Sequence, residues 1–266
     1  MAEREIWSVE KIRGLFDLTG KVAIVTGGSG AFGHDAAKGL AAYGASVVVT
    51  SRRAEKLEAA AAEISKETGA KVLPISCDCV DPASVEAMVQ KTVDEFGKVD
   101  ILVTAAGEAD RYPAEEFPIE KWEFVMDSLV KGTYLCCQAV GRRMIAQGSG
   151  KIITVGSVRG ELGHPGGYSA YGTAKGAVHL LTKQLATEWA KYHINVNSIA
   201  PCIFWTPLTQ QVIENPELKA IFLSRIPWGR VADPQDFIGA TVFLASAASD
   251  FVTGEIMAVD GGSTAG

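Results

Sequence analysis

Seven short, almost unbroken apolar runs recur along the chain, each followed by a longer segment of different periodicity. They are KVAIVT (21–26), SVVVTS (46–51), KVLPIS (71–76), VDILVT (99–104), KIITVGS (151–157), NVNSIA (195–200) and EIMAVD (255–260). Segments 54–67, 82–96, 119–147 and 170–192 carry apolar residues at helical spacing. A strand buried on one face alternates apolar with polar residues, whereas one covered on both faces reads as continuously apolar. Strands of the second kind, alternating with helices, predict an α/β fold: a doubly wound parallel sheet with helices on both faces. No linker or low-complexity stretch divides residues 18–266, so they are expected to form a single domain. Residues 1–17 read as an extension. Ile6, Val9, Ile12 and Leu15–Phe16 recur there at helical spacing, which predicts a short amphipathic helix on the body or on a neighbouring subunit.

Composition narrows the partners. With 47% hydrophobic residues in 266, a sizeable core is available. The net charge of −6 disfavours nucleic acid and anionic membranes, which are bound through basic patches. No apolar run approaches the ~20 residues of a membrane span. Glu3, Arg4 and Glu5 are not followed by the apolar core of a signal peptide. The five cysteines (Cys77, Cys79, Cys136, Cys137, Cys202) are odd in number and lack CxxC pairs. That pattern fits neither a disulfide framework nor a zinc site, and it predicts free thiols in a cytoplasmic protein without a metal. His34, His179 and His193 lack metal-ligand spacing and read as structural.

Directly after the first run stands TGGSGAFG (26–33), with Gly28, Gly30 and Gly33 in GxGxxG spacing and a helix opening near Ala31. At a strand-to-helix junction this is the fingerprint of a Rossmann-type dinucleotide site. A pyrophosphate there needs backbone N–H groups and a positive helix end, with no side chain in the way. The second run ends in Ser51, Arg52 and Arg53, with no acid before Glu55. An acid at that point would accept from the ribose hydroxyls of NAD(H), whereas arginine pairs with a 2′-phosphate. NADP(H) is therefore favoured over NAD(H).

In YSAYGTAK (168–175), Tyr171 and Lys175 lie one helical turn apart on one face. A phenol with a pKa near 10 is a poor acid and base at neutral pH. An ammonium about 4 Å away is worth about 4 kcal/mol at an effective dielectric of 20, enough to tune it. Tyr168 lies seven residues, roughly 10 Å, from that lysine, so Tyr171 is the candidate acid–base group.

The chain resembles the short-chain dehydrogenase/reductase family over about 18–263. TGGSGAFG, ILVTAAG (101–107), VGS (155–157), YGTAK (171–175), NVNSIAP (195–201) and VTGEIMAVDGG (252–262) carry the resemblance in this order. Within the family it is most similar to the gluconate 5-dehydrogenase-like and 3-oxoacyl-reductase-like branches. The resemblance implies that Tyr171 is the acid/base, that Lys175 is its partner and binds the nicotinamide ribose, and that Ser157 holds the substrate oxygen. It implies further that Gly27, Ser29, Gly30, Phe32 and Gly33 hold the pyrophosphate, and that Asp78, with Cys79, meets the adenine. Ala105, Ala106 and Gly107 would line the adenosine passage, and Thr206, near Pro201 and Ile203, would bind the carboxamide. A homotetramer is also implied, built through 119–147 and 170–192, where Leu135, Ala139, Leu180, Leu181 and Leu185 would offer apolar surface. The chain departs from the family at Ala31, Thr104, Ala105 and Cys202, and most consequentially at Leu129. The family has there an asparagine that helps hold a water for proton exchange by the lysine, so a backbone group is expected to hold that water here.

Segment 202–230 reads as a substrate lid. Phe204, Trp205, Leu208, Ile221, Phe222 and Trp228 either wall a substrate pocket or pack the lid onto the body. Arg159 and His164 lie between Ser157 and Tyr171, and either grip a substrate carboxylate or belong to a solvated loop. The expected function is hydride transfer between a nicotinamide cofactor and a small ketone/secondary-alcohol pair. Two alternatives stand beside it: a catalytically impaired or nucleotide-binding partner subunit, and an acyl-thioester (3-oxoacyl or enoyl) reductase.

Overall fold

The computed structural model describes residues 7–206 and 209–265. The seven apolar runs are its seven strands: β1 (Val22–Thr26), β2 (Ser46–Ser51), β3 (Val72–Ser76), β4 (Ile101–Thr104), β5 (Gly150–Val155), β6 (Ile194–Pro201) and β7 (Ile256–Val259). They form one parallel sheet in the order β3-β2-β1-β4-β5-β6-β7. The helices are α1 (Val9–Arg13), α2 (Ala31–Ala42), α3 (Ala54–Thr68), α4 (Pro82–Phe96), α5 (Ile119–Met126), α6 (Gly132–Gln147), α7 (Ser169–Trp189), α8 (Gln210–Glu214), α9 (Pro216–Leu223) and α10 (Pro234–Ala245).

Both faces of the sheet are covered at its centre, where β1 and β4 are buried along their whole length and apolar up to a terminal Thr. Along β1, Ala23 and Val25 face a core with Leu40, Leu57 and Phe237, while Ile24 faces another with Met88, Val140 and Leu185. Local chemistry sets the helix starts. Asp81 accepts from the N–H groups of Ala83 and Ser84, and Pro82 opens α4 with its φ already helical. The strand order runs outward in both directions from β1. The crevice at the C-terminal ends of β1 and β4 is therefore a topological switch point, where ligands bind in open α/β sheets.

Segment 119–147 differs from one expected helix. Between α5 and α6 lies a π-helical turn, Asp127–Lys131, that buries Leu129. Ala139 and Leu185 differ as well, because both side chains belong to the core. Of the expected surface leucines, Leu180 is exposed, and Tyr134 joins it on α6. In the extension, Ser8 caps a five-residue α1 that buries none of its residues; Val9 is 64% exposed. Among the described residues no side chain of α1 is buried on the body, the first of its two expected seats, and the second, a neighbouring subunit, is untouched by this; Ile6 lies outside the described residues. Leu18, 1% exposed, is the first core residue among those described.

Candidate active site

At the switch point the glycine loop folds against β4. Gly27 has φ +69, and a Cβ on it would lie 2.8–2.9 Å from backbone atoms of Ala105 and Ala106. A Cβ at Gly33 would stand 2.2 Å from the Gly27 carbonyl oxygen. Hydrogen alone fits at both positions, and Ala106 N–H is tied to Thr26 Oγ1 at 3.1 Å. Gly30 caps α2 with no side-chain hydrogen bond, so the first turn keeps its N–H groups available to an anion. Ser29 Oγ donates to Ser51 Oγ at 3.0 Å, joining this loop to the end of β2. These features fit a dinucleotide pyrophosphate. The ring of Phe32 packs on Phe204 and Phe237, at 5.1 and 4.9 Å between centroids, so Phe32 faces the groove through its backbone only.

Beyond β2, Arg52 pairs with Glu108 from the end of β4, while Arg53 caps α3 without a side-chain hydrogen bond. The half-buried Asp78 accepts from Val80 N–H, and its own N–H donates to Ser84 Oγ. Cys79 sits beside it, its thiol pushed up by Cys136 and by burial, with Cys77 lowering it in part. On the far side, Pro201 and Ile203 are buried at the end of β6, and Thr206 hydrogen-bonds Thr209. Among the described residues no cluster of His, Cys, Asp or Glu has the arrangement to hold a metal.

Ser157 leaves β5 and caps the short turn 158–160, its Oγ accepting from Arg159 N–H at 3.1 Å. Tyr171 and Lys175 share one face of α7, as their spacing requires. Burial raises the Tyr171 phenol, and the neighbouring Ser157 hydroxyl lowers it in part. Lys175 is anchored at the end of β5. Its Nζ donates to the Val155 carbonyl at 2.6 Å and lies 5.7 Å from the Tyr171 ring centroid. An enclosed ammonium needs an acceptor, and β5 supplies it. Burial brings Lys175 down to about 8. Leu129 packs beside Tyr171 and against Gly107, where a Cβ would come within 2.2 Å of its Cδ2. Ser128, its neighbour in the π-helical turn, accepts instead from Glu108 N–H at 2.9 Å.

Next to this trio opens a pocket of about 820 Å³ whose lining includes Arg111, Arg159, His164 and Tyr168. Arg111 and Arg159 lie 4.6 and 5.9 Å from the Tyr168 ring centroid, and that ring meets Tyr171 edge-on at 5.9 Å. His164 packs on Tyr168 and stacks on Phe222 of α9, 5.6 Å away and 17° from parallel, so the lid reaches the pocket through Phe222. Burial, then Arg159, Arg225 and Arg111, lower the His164 pKa. Among the described residues no carboxylate lies within ion-pair distance of these three arginines. Glu115 and Glu161 stand on the pocket lining without pairing to them.

Phe204 is not part of that wall. It is 2% exposed and packs into the core, because the chain leaving β6 turns inward over Phe32 and Phe237. Trp205 is half exposed and binds Ala232 through its N–H; Ile221 and Trp228 are exposed, and Leu208 lies outside the described residues. Two pocket residues are not legible in the sequence: Arg111, which sits in a segment without periodicity, and Tyr168, whose distance along the helix from Lys175 obscures its contact with Tyr171; nor is Arg225, whose charge reaches His164 from outside the lining.

A glycine-lined groove at the switch point, joined to a Ser–Tyr–Lys trio and an open pocket, defines a dinucleotide-dependent oxidoreductase. Residues 29–264 match the family described as Enoyl-(Acyl carrier protein) reductase. Gluconate 5-dehydrogenase of Gluconobacter oxydans (strain 621H) is 40% identical over 250 residues, covering 94% of this chain and 97% of that protein. The 2-dehydro-3-deoxy-D-gluconate 5-dehydrogenase of Dickeya dadantii (strain 3937) is 42% identical over 252 residues, covering 93% and 96%. A gluconate 5-dehydrogenase from Burkholderia cenocepacia J2315, solved in complex with NADP and tartrate, superposes with TM-score 0.90 at 37% identity, covering 95% and 98%. The chain belongs to the short-chain dehydrogenase/reductase family and is an oxidoreductase of the secondary-alcohol/ketone type.

Proposed function

We propose that the enzyme interconverts a secondary hydroxyl and a ketone on a sugar acid, using NADP(H), with Tyr171 as acid/base. The observation that carries the substrate class is the placement of Arg111 and Arg159 on Tyr168, one ring from Tyr171, with the charge of Arg225 also felt at His164 and no carboxylate paired to the three among the described residues. Arginines without a carboxylate partner at an open pocket, Arg159 half-buried and Arg111 exposed, suit a carboxylate, which guanidinium binds through parallel N–H donors. The sugar-acid activities named for the relatives point the same way. Arg52 and Arg53 at the end of β2 support NADP(H), as does the NADP found in the related Burkholderia structure.

Bound NADP(H) supplies or accepts the hydride. Ser157 Oγ holds the substrate oxygen, and Tyr171 gives that oxygen its proton in reduction or takes it in oxidation. Burial keeps the phenol protonated, the form that reduction needs. Lys175 still carries charge at neutral pH and favours the phenolate that oxidation needs. The arginines fix the carboxylate end, and so decide which hydroxyl faces Tyr171.

The same reading makes the protein a cytoplasmic homotetramer. Five free thiols accord with a reducing compartment. Exposed Tyr134 and Leu180, with half-buried Leu135 and Leu181, supply apolar surface along α6 and α7.

The test is NADPH oxidation with keto-sugar acids, neutral ketoses and 3-oxoacyl thioesters. The acids are expected to exceed the neutral ketoses in kcat/KM by about tenfold to a hundredfold, as one charge-assisted contact of about 1.5–3 kcal/mol implies. Tyr171→Phe should lose turnover and keep NADPH binding. Equal use of neutral ketoses would remove the sugar-acid assignment, and preferred turnover of thioesters would replace it.

A further inference from the structure

We infer that His179 is a positioning residue for Ser157, holding the serine through its backbone rather than through its hydroxyl. The inference rests on the reading of Ser157 as the group that holds the substrate oxygen. His179 lies one turn beyond Lys175 on α7, with its ring buried beneath the 156–160 turn. Its Nε2 accepts from the Ser157 N–H at 3.4 Å. A Cβ at Gly156 would stand 2.3 Å from Nε2, and one at Gly160 would stand 2.7 Å from Cε1. The imidazole thus fills the space that two glycines leave open on either side of Ser157. It is the only side chain of the described residues seen to accept from that N–H.

The other nitrogen argues against a merely space-filling ring. With Nε2 accepting, the neutral imidazole carries its proton on Nδ1. Nδ1 is buried without a hydrogen-bond partner, and the nearest carboxylate oxygen, of Glu161, is 3.7 Å away. An aliphatic side chain would fill the same space without leaving a buried donor unpaired. What histidine offers in return is an acceptor aimed at Ser157. Three charged groups face the ring: Lys175 and Lys183 on α7, and Glu161 after the turn. Burial and the two lysines hold the ring near pKa 4, so Nε2 remains an acceptor at neutral pH.

The experiment compares His179→Leu, His179→Asn and His179→Gln in the full chain, with Ser157→Ala as reference. Glutamine reaches as far as Nε2; asparagine stops short of it. His179→Leu and His179→Asn should lower kcat about tenfold or more, since small displacements of a catalytic group cost that much. NADPH affinity and substrate KM should stay within about twofold, and His179→Gln should recover kcat to within about threefold. Wild-type kcat in His179→Asn, or equal kcat loss in the asparagine and glutamine variants, would overturn the inference. If Ser157→Ala itself turns over normally, it is the reading of Ser157 that has failed.

Discussion

Burial moves Tyr171 and Lys175 in opposite directions, the phenol up and the ammonium down to about 8, and each shift favours the neutral group. A protonated phenol is ready to reduce a ketone, whereas oxidation must first find the phenolate. In the oxidation direction kcat should therefore climb as pH rises above neutral, less steeply once Lys175 loses its charge near 8, while reduction changes little over the same range. Rate profiles measured both ways check this, and an oxidation profile already flat at neutral pH would contradict it. At the other end of the groove, Arg52→Ala should weaken NADPH by about 1.5–3 kcal/mol and NADH far less, because only NADPH offers a 2′-phosphate. Titration of both cofactors decides; equal losses would mean that Arg52 serves its ion pair with Glu108 and nothing more.

Among the elements, the π-helical turn 127–131 carries Leu129, where the family resemblance implies an asparagine. π-Turns inside helices recur at functional sites, and this one presents Leu129 to Tyr171, Ala170 and Ala174. Leu129→Asn would bring an amide into apolar surroundings at a cost of about 1–3 kcal/mol where it stays unpaired. The expected outcome is a lower melting temperature with kcat changed by less than about tenfold. A gain of a hundredfold would instead identify the natural protein as a disabled catalyst. The strands are legible in the sequence because a strand covered on both faces reads as an almost unbroken apolar run, as β1 and β4 do. The π-turn is not, since one extra residue in a turn leaves the apolar periodicity of 119–147 nearly undisturbed. Local pattern also leaves the facing of a side chain open: Phe204 and Phe222 read alike, yet one ring enters the core and the other stacks on His164. Tyr171, Lys175 and the glycine loop are legible because each depends on short-range spacing. The arginine cluster is not, since it draws Arg111, Arg159 and Arg225 from three separate loops.

Taken as a whole, the molecule presents α6 and α7 side by side with Tyr134 and Leu180 uncovered. Light scattering at micromolar concentration should give the mass of four chains of 28.1 kDa. A monomeric mass would remove the tetramer. The sheet also has a seam. β1 pairs with β4 across the intervening β2 and β3 units, and Gly27 rests on the backbone at Ala105 and Ala106. On a ribosome, the nucleotide loop is therefore made long before its supporting surface: a chain stopped short of residue 104 would hold every glycine of the loop and lack the backbone against which Gly27 is seated. Cofactor affinity is gained only as the central pairing closes, and a bound dinucleotide opposes the reopening of that same pairing. Saturating NADPH should thus protect the β1 and β4 amides against hydrogen exchange together, as one cooperative unit.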